Sequence, residues 1–123
     1  MNQEDLAVKI YKALGHPVRL KIVKFLCDGP KCVCKINELF VFSQANLSQH
    51  LRILKDAGIV RNEKVGLEMH YRLSNDNLKD IIGNVENYAK DYVNNIFASS
   101  NKWFIWIQTT KYTKAWKYLT NYF

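Results

Sequence analysis

The stretch SQANLSQHLRILKDAGIV, residues 43–60, constrains this chain more than any other. Leu47, Leu51 and Leu54 recur at i, i+4 and i+7, the spacing that lays one apolar stripe along an α-helix. Ser43 is placed to cap the start of that helix and Gly58 to close it. The opposite face carries Gln44, Ser48, Gln49, Arg52 and Lys55, so one side must be buried while the other shows hydrogen-bonding and cationic groups. Directly after Gly58, two extended runs, Ile59 to Lys64 and Leu67 to Leu73, flank a turn at Val65 and Gly66, which is the pattern of a β-hairpin.

The upstream segments fit the same plan. Leu6, Ile10 and Leu14 recur at helical spacing up to Gly15, which predicts a first helix over about residues 3–14. Pro17 opens a second helix with Val18, Ile22, Val23 and Leu26 on one face, stopped by Asp28, Gly29 and Pro30. KINELF, residues 35–40, reads as a short third helix, followed by a break near residues 41–43. Three helices, a polar-faced fourth and a hairpin bearing Arg61, Lys64 and Arg72 make a mainly α fold with a small β-hairpin, the order of a winged helix-turn-helix. From Asp76 a further helix of about 20 residues carries a broad apolar stripe from Leu78 to Ile96, more than a small wing domain needs to cover. A homodimer formed through the first and last of these helices is the economical reading, and it would present two recognition helices to a two-fold site.

Composition narrows the class. At 123 residues the chain has the length of one domain, and its formal charge of +7 suits a polyanionic partner. Residues 1–97 hold fourteen Lys/Arg against eleven Asp/Glu, whereas residues 98–123 hold four lysines and no acid among eight aromatics. The division expected is therefore a DNA-binding domain over 1–97 and an aromatic, basic extension over 98–123. The longest apolar run near the C-terminus, WFIWI, is far shorter than the about 20 residues of a membrane span, and the N-terminus lacks a signal-peptide layout. A cytoplasmic location follows, where the three cysteines, Cys27, Cys32 and Cys34, are expected as thiols that pack, bind an ion or sense redox state. No C-x-x-C pair beside a βαβ unit, no acid/base constellation and no phosphate-binding glycine loop is present, so the chain reads as a non-enzyme.

Taken together, ALGHPVRLKIV, then CVC, then SQANLSQHLRILKDAGIV, then a wing ending in HYRLS resemble the ArsR/SmtB family of metal-responsive repressors over residues 6–97. That resemblance implies a dimeric winged-helix repressor that leaves double-stranded operator DNA when a toxic ion binds, with no obligatory cofactor. The Cys32-Val-Cys34 element is similar to the thiolate site of arsenic and antimony sensors and of cadmium and lead sensors. It implies As(III) or Sb(III) as inducer, with Cd(II) or Pb(II) ranked second. The chain departs from the arsenic-sensor motif at Asn37, where a third cysteine is usual, and residues 76–97 contain no histidine for a zinc-type site.

Thiolates select soft ions, and trivalent arsenic or antimony bonds to as many as three of them. Cys27 is the one protein thiol left to act as a third ligand, yet it also falls four after Val23 and seven after Leu20, as a core residue would; both assignments stay open. On a helix, side chains two apart point about 200° apart, so ion binding at Cys32 and Cys34 is expected to reorient the third helix. On the DNA side, Gln44, Ser48, Gln49 and Arg52 are candidates for base edges, Lys55, Arg61, Lys64 and Arg72 for phosphates, and Asn46 for either. His50 either touches phosphate or braces the helix, while His16 is placed to cap a helix. A regulator of the same fold, with structural cysteines and another signal, is the alternative.

Overall fold

The computed structural model describes residues 1–40 and 44–98. Helix α1 (Gln3–Leu14) has the expected bounds: the Asn2 side chain accepts the Asp5 N–H at 2.7 Å, and the Gly15 N–H donates to the Tyr11 carbonyl at 3.0 Å. Helix α2 (Pro17–Phe25) starts at its proline and passes into a single 3₁₀ turn, Leu26–Asp28. Strand β1 (Lys31–Cys32) leads straight into α3 (Val33–Glu38). Helix α4 (Gln44–Asp56), strands β2 (Val60–Val65) and β3 (Glu68–Leu73), and α5 (Asn77–Ala98) complete the described chain. The expected break at 41–43, with Ser43 as cap, lies outside the described residues, as does the extension beyond Ala98.

Two local features differ from expectation. The third helix begins at Val33 rather than Lys35 and ends at Glu38, because Cys32 holds an extended backbone and its Sγ accepts the Lys35 N–H at 3.2 Å. The second is β1 itself, which pairs antiparallel with β3 and turns the hairpin into a three-stranded sheet of order β1-β3-β2. Lys31 fastens the approach to this strand, its amine 2.8 Å from Asp28 and 5.2 Å from the centre of the Phe25 ring.

The chain divides into two compact units, Met1–Lys79 and Asp80–Phe123. In the first, the leucine stripe of α4 is buried as the spacing requires, with Leu47, Leu51 and Leu54 joined in the core by Ile22, Val23, Leu26, Ile36, Ile59 and Val60. Gly58 ends α4 with φ 75° and Gly66 turns the hairpin with φ 64°, both in the left-handed region that side-chain-bearing residues avoid. The described part of the second unit is the remainder of α5, on which Ile81, Val85, Tyr88 and Tyr92 are exposed. Among the described residues, no helix is long and apolar enough to cross a membrane.

Leu54 is fully buried, so removing most of its side chain leaves a cavity under the recognition helix. Leu54→Ala is expected to cost about 2–5 kcal/mol, read as a lowered midpoint of urea unfolding with unchanged slope.

Candidate functional site

Helix α4 packs on α1, α2 and β2 through its leucines, which turns the other face outward. Asn46, Ser48, Gln49, Arg52 and Lys55 are all exposed there. Arg52 lies 4.0 Å from Asp56, and both side chains are more than half exposed, a pairing too weak to withhold the guanidinium from a nucleic acid. Gln44 opens the same helix.

What sets the attitude of this helix is a polar cluster in which Arg19, which the sequence does not single out, joins the expected cap His16 to His50. Arg19 of α2 donates from Nε to the Ala13 carbonyl at 2.7 Å and from Nη2 to the Lys12 carbonyl at 3.3 Å, serving carbonyls that the end of α1 leaves unpaired. Its third arm, Nη1, lies 3.2 Å from His50 Nδ1 on α4. His50 is half-buried, and its ring centre lies 4.6 Å from that of His16. His16 in turn caps α2, its Nδ1 accepting the Val18 N–H at 3.1 Å. Of the two roles weighed for His50, this geometry is that of a brace. Burial lowers the pKa of both histidines from the ordinary range, with the positive charge of Arg19 adding to it and, for His50, that of His16.

The wing presents its cations on two faces. Arg61 stands opposite Arg72 in the β2–β3 ladder, and alternation along the strand puts Lys64 on the other side. Arg61 and Lys55 line one open groove of about 420 Å³ between the end of α4 and the wing, together with Gly58, Asn62 and Ser74. Arg72, also exposed, lines a separate cavity of about 200 Å³ with Cys27, Asp76 and Lys79.

The thiol pair sits where β1 becomes α3. Cys32 is buried and Cys34 exposed, and a disulfide joins them with Cα atoms 5.2 Å apart. This corrects two expectations: that both cysteines would be found as thiols, and that their side chains would diverge by about 200°. The divergence holds for two residues on one helix, whereas Cys32 precedes the helix in extended conformation, so the side chains converge without any unwinding. Cys27 does not join them. Its thiol donates to the Val23 carbonyl at 3.4 Å within the α2 end, and the group of nearby donors at the pair is instead Cys32, Cys34 and Glu68, one atom of each within 4.8 Å of the others. Glu68 comes from β3 and was not singled out in the sequence; nothing in its neighbourhood along the chain marks it, because the pairing that delivers it is long-range.

Comparisons with known proteins bear on the family and the fold. The family model described as bacterial regulatory protein, arsR family, matches residues 16–62, which run from the His16 cap through α4 to the start of the wing. An uncharacterised HTH-type transcriptional regulator of Methanocaldococcus jannaschii is 43% identical over 83 residues, covering 67% of this chain and 93% of that one. The arsenical resistance operon repressor of Staphylococcus aureus is 38% identical over 85 residues, covering 69% and 81%. Among solved structures, the homodimeric winged helix-turn-helix DNA-binding domain of a possible ArsR-family regulator from Mycobacterium bovis superposes with a TM-score of 0.67. It is 24% identical and covers 73% of this chain and 83% of its own, a likeness of fold.

The histidine brace predicts an acid sensitivity. Because the folded state lowers both histidine pKa values, the unfolded chain takes up protons that the folded chain refuses, and stability falls as pH drops through the ordinary histidine range. The urea midpoint is expected to decrease from about pH 7.5 to about pH 5.5, and the decrease to be smaller in a His16→Asn, His50→Gln double variant. Equal decreases in the two proteins would show that the brace does not carry the effect.

Proposed function

The chain belongs to the ArsR/SmtB family of bacterial regulatory proteins, which are DNA-binding transcriptional repressors and not enzymes, and we propose that it is released from its operator by As(III), Sb(III) or a related soft ion. The observation that carries this reading is the convergence of Cys32 and Cys34 at the start of α3, Cα atoms 5.2 Å apart. Once the disulfide is reduced, two thiolates at that spacing can bond one ion without refolding the helix. Soft thiolates favour such ions over the hard cations of the cell.

On the DNA side, Asn46, Ser48, Gln49 and Arg52 supply the donors and acceptors that read base edges in a major groove, with Gln44 at the head of the same helix. Lys55 and Arg61 share a groove suited to a phosphate, while Lys64 and Arg72, on opposite faces of the wing, would meet different parts of the backbone. Exposed Leu6, Val8 and Tyr11 on α1, and Ile81, Val85, Tyr88 and Tyr92 on α5, support a homodimer that covers these faces. The likeness to a homodimeric DNA-binding domain agrees with it.

Release then follows from competition between two states. Ion capture pulls on α3 and β1, and α3 packs against β1 and β3, so the reading helix and the wing lose the mutual attitude that fits the groove. The ion need only favour the DNA-free state by about 1–3 kcal/mol, about 5- to 150-fold in operator affinity. A second reading has its own observation. The Cys32–Cys34 disulfide gives the pair a structural role, in which case the regulator answers to another signal.

One titration separates the two. The reduced protein is bound to a labelled duplex recovered by selection from a random library, and arsenite, antimonite, cadmium and zinc are added while anisotropy and thiolate absorbance are followed. The sensor reading predicts coincident changes at stoichiometric ion, abolished in Cys34→Ser. Normal release from the Cys34→Ser protein, or release by none of the ions, leaves the second reading standing.

A further inference from the structure

The β1–β3 ladder brings a third donor to the thiol pair. Cys32 is opposite His70, and side chains two apart on a strand share a face, so Glu68 and His70 lie on the same side of the sheet as Cys32. Continued by two residues, the register that pairs 31 with 71 and 32 with 70 would put 34 opposite 68. The chain leaves the strand at Val33, yet the carboxylate still reaches both sulfurs, all three atoms lying within 4.8 Å of one another. His70 steadies that carboxylate, its Nε2 lying 3.2 Å from Glu68 Oε2.

We propose that Glu68 is an oxygen donor of this site and that, with both thiolates, it selects a divalent thiophilic cation of the Cd(II), Pb(II) or Zn(II) class. The proposal rests on the reading that the reduced pair takes an ion. Donors around a four-coordinate Zn(II) lie roughly 3.3–3.8 Å apart, given metal–ligand distances of about 2.0–2.3 Å, so once the disulfide is reduced the two sulfurs must separate to that spacing while the Glu68 carboxylate, already within 4.8 Å, draws in. Two sulfurs and one oxygen leave one position for water. A borderline divalent ion accepts such a mixed set, whereas trivalent arsenic brings its own hydroxide to complete two thiolates and gains nothing from a carboxylate. The histidine behind the carboxylate is the kind of supporting group that orients a ligand, which makes His70 a positioning residue.

The arrangement also answers how two thiols suffice without a third cysteine at position 37 or from Cys27. One donor comes from the end of β1, one from α3 and one from the wing, so a divalent ion would bridge the helix-turn-helix to the wing. Arsenic held by the two sulfurs alone would not. The two kinds of ion would therefore differ in what they do to the wing as well as in affinity.

The test uses the full chain, reduced with a phosphine, and three proteins: wild type, Glu68→Gln and His70→Ala. Cd(II) affinity is measured by chelator competition, sulfur ligation by the thiolate-to-metal absorbance band, and arsenite affinity in parallel. Glu68→Gln is expected to weaken Cd(II) by about 10- to 100-fold while the absorbance band at saturation and the arsenite affinity hold; His70→Ala should weaken Cd(II) by less. Equal Cd(II) affinity in wild type and Glu68→Gln, or a larger loss in His70→Ala than in Glu68→Gln, overturns the assignment while leaving the thiol sensor intact. A wild type that binds neither ion through sulfur overturns both. Glu68 is exposed, so its isosteric replacement leaves the fold in place, and an unchanged urea midpoint confirms that.

Discussion

The two-residue pairing of β1 with β3, Lys31 opposite Tyr71 and Cys32 opposite His70, is the constraint on which the thiol site depends. It holds Cys32 extended, so that its sulfur caps α3 and meets Cys34 from outside the helix. It also fixes which wing residues stand beside the pair. Without those backbone bonds Cys32 would have neither a fixed separation from Cys34 on α3 nor a neighbour in the wing. A sensing site in this position is therefore tied from the outset to two of the elements that must fit the DNA.

The other element, α4, is held by a different set of contacts within the first unit. Arg19 spends its guanidinium on the end of α1 and on His50, and His16 stacks near His50 while capping α2. Three helices are thus referenced to one another through a part-buried polar cluster, and the outward face of α4 inherits its orientation from it. Such a cluster is directional where the leucine stripe beneath it is not, because hydrogen bonds specify geometry and apolar burial mainly supplies stability. The brace needs neutral imidazoles at both Nδ1 atoms.

Much of this fold could be read from short-range pattern. The bounds of α1, the proline start of α2, the Leu47, Leu51 and Leu54 stripe and the hairpin all follow from periodicity, capping and turn residues, each a signal within a few positions. The features that escaped are those made by residues far apart in the chain. A strand of two residues has no period to detect, and treating Cys32 and Cys34 as two positions of one helix overstates their divergence, because Cys32 is extended. Arg19 reads as a solvated helix residue until the end of α1 is seen beside it. Glu68 reads as a charge on a wing until the β1–β3 register places it against the sulfurs. Cys27 had the opposite fate: its spacing from Leu20 and Val23 hinted at packing, and its thiol is engaged by the Val23 carbonyl away from the pair.

If ion capture and operator binding are alternatives, each must weaken the other by the same factor, since coupling between two sites is reciprocal. The direct measurement is the arsenite affinity of the reduced protein with and without a saturating amount of its selected duplex. The account predicts that DNA lowers arsenite affinity by the same factor, about 5- to 150-fold, by which arsenite lowers DNA affinity. An arsenite affinity unchanged by bound DNA, with both thiols occupied, would contradict it.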